Sequence, residues 1–443
     1  MSAKAVVLVH GGGGGAGFTS VWDKLSSPLL GRPLISYIVD AAAGLRPALI
    51  VLALADSTAA PAAVLSGLPG KVPVSVLRRR GRRGGATPGM ISALVDASPI
   101  IRKNRSRDIL AVPADRPLVQ PKTLKSILAT HRRKRCSLTI LSCGPDLERD
   151  SIAVFRAGDV APLLPALTRA GGKAGLGFLA AMLRARGRIV GLTEIPDADE
   201  ALRIAGRADL ARAAGILRGR KNEALARRGV TLFDPQSTWI DWEAKVGAGT
   251  VIYPSVVIEG ASVIGKSCRI YPHVHIMRSR AGERVKILSS TVIDDSRVED
   301  DAQVGPFSRL RPGTVIKASS KVGNFVEMKN TVFGPRSKAQ HLSYLGDSLV
   351  EEDVNIGAGT ITCNYDGVRK NRTHIGSGAF IGSGTELVAP VKVGKQAYVA
   401  AGSTITKDVG PGSLAIGRAR QVEKPGWVIE RLKKLQKKTR APK

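Results

Sequence analysis

The sequence predicts two fold classes in succession: an α/β domain with a doubly wound sheet, and then a parallel β-helix made of hexapeptide repeats. In the first half, short apolar strands alternate with segments of helical spacing, as they do in doubly wound α/β domains. From Gly229 onward an aliphatic residue recurs at every sixth position, and glycine often follows it. That period is typical of a parallel β-helix, in which each repeat forms one short strand and one corner.

The first half provides five candidate strands and two candidate helices. The strands are Ala5–Val9, Ala48–Ala53, Val72–Leu77, Ile109–Val112 and Ser137–Leu141, and the helices are Leu34–Ala43 and Leu124–His131. Ligands of such sheets bind beyond the carboxyl ends of the strands, where the glycine run 11–15 and Asp115 fall. Residues 197–228 are rich in Ala, Arg, Glu and Leu and predict a linking helix. The predicted domains are therefore 1–196, the linking helix 197–228, and 229–443.

The hexapeptide period runs through four segments, in which the aliphatic residue should point into a triangular prism. The residues are Val246, Ile252, Ile258, Ile264, Ile270 and Ile276; Val292, Val298, Val304, Leu310, Ile316, Val322 and Met328; Val350 and Ile356; and Ile375, Ile381, Leu387, Val393, Val399 and Ile405. The phase breaks at 277–291, 329–349 and 363–374. We expect loops to leave the coils there and to carry the chemistry.

Composition narrows the possible partners and the compartment. The net charge of +31 indicates a solvated basic surface or attraction for phosphorylated ligands rather than nucleic acid, because no basic run lies in a nucleic-acid motif and aromatic residues are only 4% of the chain. The four cysteines form no CxxC pair, which disfavours disulfides and zinc and favours the cytoplasm. Apolar stretches are too short for a signal peptide or a membrane span, so neither is expected.

Four motifs in the second half suggest an active site. They are RLRPG with Arg311, VGNFVEMKN with Lys329, SKAQHLSYLGD with His341 and Tyr344, and VNIGAGTITCNYDGVRK, which spans 354–370. From Gly229 to about Trp427 the chain resembles the acetyltransferase half of the bacterial bifunctional N-acetylglucosamine-1-phosphate uridyltransferase / glucosamine-1-phosphate acetyltransferase family.

The resemblance implies a left-handed β-helix, a homotrimer with coenzyme A at the subunit junctions, and acetyl transfer from acetyl-CoA to glucosamine 1-phosphate for UDP-N-acetylglucosamine synthesis. It implies that His341 is the general base. The residues that it implies for the sugar phosphate are Arg311, Lys329, Tyr344, Asn355 and Lys370. Those that it implies for acetyl-CoA are Ala358, Asn364, Tyr365, Ser383, Ala401 and Arg418.

The residue chemistry agrees with this interpretation. An amine that attacks a thioester must be neutral, and a histidine with a pKa near neutrality can accept its proton. Arg311 and Lys329 can neutralise a phosphate. Backbone N–H groups of the corner 357–359 could stabilise the developing oxyanion. The alternative for His341 is a surface histidine without a role.

The first half resembles the nucleotidyltransferase domain of the same family, with departures. By resemblance, Gly11, Gly12, Gly13 and Lys24 would bind nucleotide, and Asp115 would bind Mg²⁺ if the site is active. The arginine of the family's LAAGxGTRM motif is missing from LVHGGGGGAGFTSV, and Ala205-Gly206 stand where the family has a second magnesium ligand. We therefore expect acetyl transfer with lost or weakened uridylyl transfer. The alternatives are a full bifunctional enzyme and a non-catalytic scaffold or sensor.

Overall fold

The structure is a computed structural model that describes residues 5–11, 16–54, 72–78, 89–144, 151–171 and 174–439, the side chains of 437–439 excepted. It contains two compact units. The first comprises Met1–Lys245 with Val257–Ala261, and the second comprises Val246–Val256 with Ser262–Lys443.

The first unit is built on a sheet of seven strands. Their order across the sheet is Val74–Arg78, Leu49–Leu54, Val6–Gly11, Asp108–Pro113, Ser151–Arg156, Leu138–Ser142 and Val190–Glu194. The strand Ser151–Arg156 runs antiparallel to both of its neighbours, and the other pairings are parallel. All five predicted strands are present with ends shifted by one or two residues, while Ser151–Arg156 and Val190–Glu194 were not predicted.

Helices cover both faces of this sheet. They are Val21–Ser26, Leu34–Ala43, Met90–Lys103, Pro121–Arg133, Ala157–Val160, Leu164–Ala170, Leu176–Arg184 and Arg207–Ala226, with 3₁₀ turns at Ala161–Leu163 and Ala198–Ala201 and a hairpin of Pro28–Leu29 with Arg32–Pro33. Successive residues of a strand face opposite sides. Accordingly, Val7 and Val9 pack in one core while Val6 and Leu8 pack in the other. The doubly wound arrangement is confirmed.

The predicted linking helix is shorter than expected. It runs over Arg207–Ala226, because Gly206 is extended and the carboxylate of Asp209 accepts the N–H groups of Ala205 and Gly206, both at 3.0 Å. An acidic side chain that satisfies these N–H groups fixes a helix start. The prediction that the helix begins at 197 is wrong, since composition alone did not reveal this cap.

The second unit is a parallel β-helix with three sheets, in which each strand pairs with the strand three positions along the chain, except that Tyr398–Val399 pairs with Leu414–Ala415, two positions along. The first sheet contains Val251–Ile252, Arg269–Ile270, Lys286–Ile287, Gln303–Val304, Lys321–Asn324, Lys338–His341, Asn355–Ile356, Phe380–Ile381, Tyr398–Val399 and Leu414–Ala415. The second contains His275–Met277, Val292–Asp294, Arg309–Leu310, Glu327–Lys329, Tyr344–Gly346, Ile361–Cys363, Glu386–Val388 and Thr404–Ile405. The third contains Val263–Ile264, Arg280–Ala281, Arg297–Val298, Val315–Ile316, Val332–Phe333, Ser348–Val350, Thr373–Ile375 and Val391–Val393.

Short strands also lie at Thr231–Leu232, Trp239–Ile240, Lys245–Val246 and Val257–Glu259, and a helix lies at Trp427–Thr439. Trp239–Ile240 pairs with Val257–Glu259 within the first unit. Within the described ranges, no helix is long and apolar enough to cross a membrane.

The structure differs from the predicted repeat phase at one strand and at two of the three predicted breaks. Ile293 is buried and Val292 is not, so the prediction for Val292 is wrong. The coil continues through 277–291 with Ala281 and Ile287 inside, and through 329–349 with Phe333, Ala339 and Leu345 inside. In both segments two consecutive inward residues are five rather than six positions apart, as Met328 and Phe333 are, and this shifts the phase while the coil continues. Of the three predicted breaks, only the third is a loop that leaves the coil, between Cys363 and Thr373.

Glycine after the inward residue allows the coils to stack closely. A Cβ on Gly323 would overlap the backbone of Gln340 in the next coil, and one on Gly357 would lie 2.5 Å from the backbone nitrogen of Ser383. Each coil is therefore held directly against its neighbour by backbone hydrogen bonds.

We expect the first unit to lose stability in mild acid because of His131. This ring is fully buried, with Nδ1 2.9 Å from the Thr139 hydroxyl, and burial lowers its pKa from 6.5 to about 4 despite the nearby Asp108. Between pH 6.5 and 4 the His131 side chain is therefore protonated in the unfolded chain but neutral in the folded chain. The stabilisation is complete above pH 6.5 and is lost as the pH falls towards 4, at about 1.4 kcal/mol per pKa unit.

Urea unfolding followed by circular dichroism at several pH values tests this expectation. His131→Gln should flatten the pH dependence of the unfolding free energy in that range. The exposed His273 provides the control His273→Gln. Equal pH dependence in both variants would contradict the assignment.

Candidate active site

One corner of the β-helix places four predicted site residues in successive coils. We call His341, Ala358, Ser383 and Ala401 the His341 corner row. The residue after each of them donates its N–H to the coil before: Leu342 to Asn324 (3.0 Å), Gly359 to Leu342 (2.9 Å), Gly384 to Ala358 (2.7 Å) and Gly402 to Ser383 (2.8 Å). Neighbouring strands lie about 4.8 Å apart, so the row extends roughly 14 Å. Three of the residues that resemble acetyl-CoA contacts thus align with the candidate base.

The imidazole of His341 is exposed and oriented by one partner. Its Nδ1 lies 3.0 Å from Oδ1 of Asn324, which stands beside it in the preceding coil. An amide oxygen only accepts hydrogen bonds, so in the neutral ring Nδ1 carries the proton and Nε2 keeps a free electron pair. Sequence analysis missed Asn324. The length of one coil could have found it, since it precedes His341 by 17 residues.

Side chains along this edge change size at His341. In the coils before it, Phe307 and Phe325 stack with ring centroids 5.4 Å apart, and both are exposed. In the coils after it, the row carries only alanine and serine, and each of these residues is followed by a glycine. A slender ligand can therefore lie along the later coils, while the phenylalanines form an apolar wall on the other side.

The corner 357–359 offers fewer backbone donors than expected. The N–H of Gly357 donates to the Ile381 carbonyl at 2.8 Å, and that of Gly359 donates to the Leu342 carbonyl. Among the described residues the structure records no acceptor for the N–H of Ala358. Any oxyanion held by this corner would therefore depend on one amide, that of Ala358, because coil stacking uses the others.

Three cationic side chains form a cluster on and beside the second sheet: Arg311, Lys329 and Lys370. The adjacent charge of Lys370, with a contribution from Arg311, lowers the pKa of Lys329. Arg311 is also bound by Glu327, with Nη1 2.7 Å from Oε1. Closely spaced cations repel one another, so the cation cluster should bind an anion favourably. Sequence analysis missed Glu327.

The loop between Cys363 and Thr373 places Lys370 beside Lys329 of the second sheet. Lys370 pairs with Tyr365 across the loop, and Tyr365 is 61% exposed with its hydroxyl donating to Gly367. Asn364 at the base of the loop is only 7% exposed and donates to Oδ2 of Asp347 at 2.6 Å. The Asn364 side chain is therefore mainly occupied by this hydrogen bond within the protein.

The remaining predicted residues lie on different faces. Tyr344 is on the second sheet, between Glu327 and Ile361. Asn355 is on the first sheet, between Lys338 and Phe380, so it does not share the face of the cation cluster. Arg418 is exposed beside the last coils of the His341 corner row.

The first unit holds a second polar cluster, at the end of its sheet. Oδ2 of Asp115 lies 3.0 Å from Nζ of Lys24 and 3.3 Å from Nε of Arg203, with Asp115 8% and Lys24 3% exposed. Burial would raise the pKa of Asp115, but the two cations outweigh it and hold that pKa below its usual value. Gly11 ends the strand that leads here, and Gly12 and Gly13 lie outside the described residues.

These residues do not fit a magnesium site. The carboxylate of Asp115 is already bound by two cations, and Ala205 and Gly206 have no side-chain oxygen. Asp209 is occupied by the cap of its helix. Within the described ranges, no three His, Cys, Asp or Glu side chains are grouped so that they could hold a metal ion.

Comparisons with known proteins agree with both folds. A family model described as a MobA-like NTP transferase domain matches residues 5–188, and the bacterial transferase hexapeptide model matches 372–407. A protein of Thermotoga maritima called bifunctional protein GlmU is 39% identical over 96% of this chain and 99% of its own length. One of Pelobacter propionicus is 37% identical over 97% and 99%, and one of Geotalea uraniireducens is 49% identical over 54% and 52%. The α/β domain and the left-handed β-helix are confirmed.

We expect Asp347→Asn to destabilise the second unit. Asp347 accepts hydrogen bonds from the amides of Asn330 and Asn364, both at 2.6 Å. The two amides donate to different oxygens of Asp347, and asparagine replaces one of these oxygens with an NH₂ group, which would face a donor. A buried amide without an acceptor costs about 1–3 kcal/mol. Thermal or urea unfolding measures the loss.

The control is Asp301→Asn. Asp301 and Asp347 both have a positive φ, but Asp301 forms an exposed pair with Arg284. Such a pair should be worth at most about 1 kcal/mol. If the two variants lose equal stability, Asp347 does not have the role assigned to it.

Proposed function

The chain belongs to the family of bifunctional GlmU proteins, and from this premise we propose that its second unit transfers an acetyl group from acetyl-CoA to the amine of glucosamine 1-phosphate. The observation that carries the proposal is the His341 corner row, which aligns an oriented imidazole with Ala358, Ser383 and Ala401, the positions that resemble acetyl-CoA contacts. The product, N-acetylglucosamine 1-phosphate, would serve UDP-N-acetylglucosamine synthesis.

In the proposed reaction His341 accepts a proton at Nε2. The amine nitrogen attacks the thioester carbonyl carbon, a C–N bond forms, and the C–S bond breaks. The amine proton passes to Nε2, and coenzyme A leaves as a thiolate that is then protonated. Asn324 keeps Nδ1 protonated through its 3.0 Å contact, which holds Nε2 in the basic form.

The cation cluster supports a phosphorylated acceptor. A sugar phosphate carries about two negative charges, which Arg311, Lys329 and Lys370 can neutralise. We also propose a homotrimer, because Asn355 lies on another face than the cation cluster and a neighbouring copy could supply the missing side of the site. The exposed rings of Phe380 and Tyr398, stacked 5.1 Å apart, provide apolar surface for such an interface.

His341→Ala should lower kcat for acetyl transfer by about 10²–10⁴-fold, because general-base catalysis contributes that much. Release of free coenzyme A thiol from acetyl-CoA and glucosamine 1-phosphate measures it. The exposed His273 gives the control His273→Ala, which should keep wild-type kcat. A loss of less than about tenfold in His341→Ala would remove the base from the mechanism.

For the first unit we propose nucleotidyl transfer from UTP to N-acetylglucosamine 1-phosphate, with release of pyrophosphate. The relatives that align over the whole chain are called bifunctional. This favours the alternative of two activities over the expected loss of uridylyl transfer. Lys24 supports the proposal, since its buried ammonium group lies at the end of the sheet where nucleotides bind in such folds.

Wild-type protein should release pyrophosphate from UTP and N-acetylglucosamine 1-phosphate, and Lys24→Met should reduce that rate by about 10²-fold through lost charge stabilisation. The exposed Lys122 on the helix Pro121–Arg133 provides the control Lys122→Met. Absence of pyrophosphate release in a protein that still transfers acetyl would restrict the function to the second unit.

A further inference from the structure

The polar cluster of the first unit contains a guanidinium where a magnesium site would need oxygen ligands. Nε of Arg203 lies 3.3 Å from the carboxylate of Asp115, the residue that resembles a metal ligand. The neighbouring Ala205 supplies no oxygen where the second ligand would stand. A divalent cation on Asp115 would meet two side-chain cations bound to the same carboxylate oxygen, and like charges at that distance repel strongly.

The position of Arg203 is fixed by the backbone. The N–H of Ile204 donates to the carbonyl of Asp115 at 2.9 Å, and the buried guanidinium of Arg116 donates to the carbonyl of Ala201. These bonds fasten the segment 201–204 to the end of the strand Asp108–Pro113. Ile204 is itself completely buried. Arg203 is therefore part of the folded cluster rather than a loose surface side chain.

Arg203 also retains donors for a ligand. Its Nε donates to Asp115, and among the described residues the structure records no partner for its two Nη groups. About a third of the side chain is exposed. A guanidinium whose Nη groups remain available can bind phosphate oxygens in a bidentate manner. With Lys24 and Arg203 against one carboxylate, the cluster keeps an excess positive charge, as a carboxylate-bound divalent cation would provide.

We infer that Arg203 takes the place of a divalent cation in the first unit, so that this unit binds the phosphates of a nucleotide without Mg²⁺. The inference rests on the nucleotide-binding part of the proposed function and adds a property to it. Lys24 and Arg203 contact the phosphates, and Asp115 positions both cations.

Isothermal titration calorimetry of the full chain with UTP, in excess Mg²⁺ and in excess EDTA, tests the inference. The dissociation constants in the two buffers should agree within about threefold, because protein cations supply the neutralising charge. Arg203→Met should weaken binding in EDTA by about tenfold or more. Arg212 lies on the helix Arg207–Ala226 with its side chain 70% exposed, so the control Arg212→Met should bind like wild type.

A double variant gives a second measurement. Arg203→Ala with Ala205→Asn removes the guanidinium and adds an oxygen ligand, so UTP binding should become dependent on Mg²⁺. Circular dichroism checks that each variant is folded.

Several outcomes overturn the inference: UTP binding that requires Mg²⁺ in wild-type protein, equal affinities of Arg203→Met and Arg212→Met, or no UTP binding in either buffer. If UTP binds in EDTA but no pyrophosphate is released, the inference stands and nucleotidyl transfer fails. If pyrophosphate is released only because Mg²⁺ enables UTP binding, the proposed function stands and the inference fails.

Discussion

The stacking register of the β-helix is the constraint on which the candidate acetyl-transfer site depends. Each coil donates backbone hydrogen bonds to its neighbour, and glycines such as Gly357 let the coils approach until a Cβ would collide. This contact sets both the spacing and the alignment of the corners. Residues that are far apart in the sequence, His341 and Ala401 among them, become members of one straight row without any packing of their own side chains.

The two polar clusters treat positive charge differently. In the second unit Lys329 and Lys370 lie together, and their mutual repulsion lowers the pKa of Lys329. That arrangement stores unfavourable energy, which a bound phosphate can relieve. In the first unit Lys24 and Arg203 share the buried carboxylate of Asp115, so one of their two positive charges is neutralised before any ligand arrives. The first arrangement favours tight anion binding, whereas the second favours a rigid, preorganised site.

Periodicity predicted the β-helix well because the inward position repeats whatever the intervening residues are. It failed at Val292 and in the segments 277–291 and 329–349, because a five-residue step shifts the phase while the coil continues. The motifs identified His341 and the cations, but Asn324 and Glu327 act through contacts between coils, which motifs do not reveal. The helix start at Arg207 and the role of Arg203 depend on single capping and ion-pair contacts. Such single contacts between side chains cannot be predicted from the composition of the segment.

The open end of the coil has a consequence for ligand binding. Leu414–Ala415 is the last strand of the first sheet, and among the described residues no further strand stacks on it, so fraying should begin at this end. Ser383, Ala401 and Arg418 all lie in these final turns. An elongated ligand that contacts all three turns would stabilise them against local unfolding. Ligand binding should therefore slow hydrogen exchange of the backbone amides in these turns more than of those near His275–Met277.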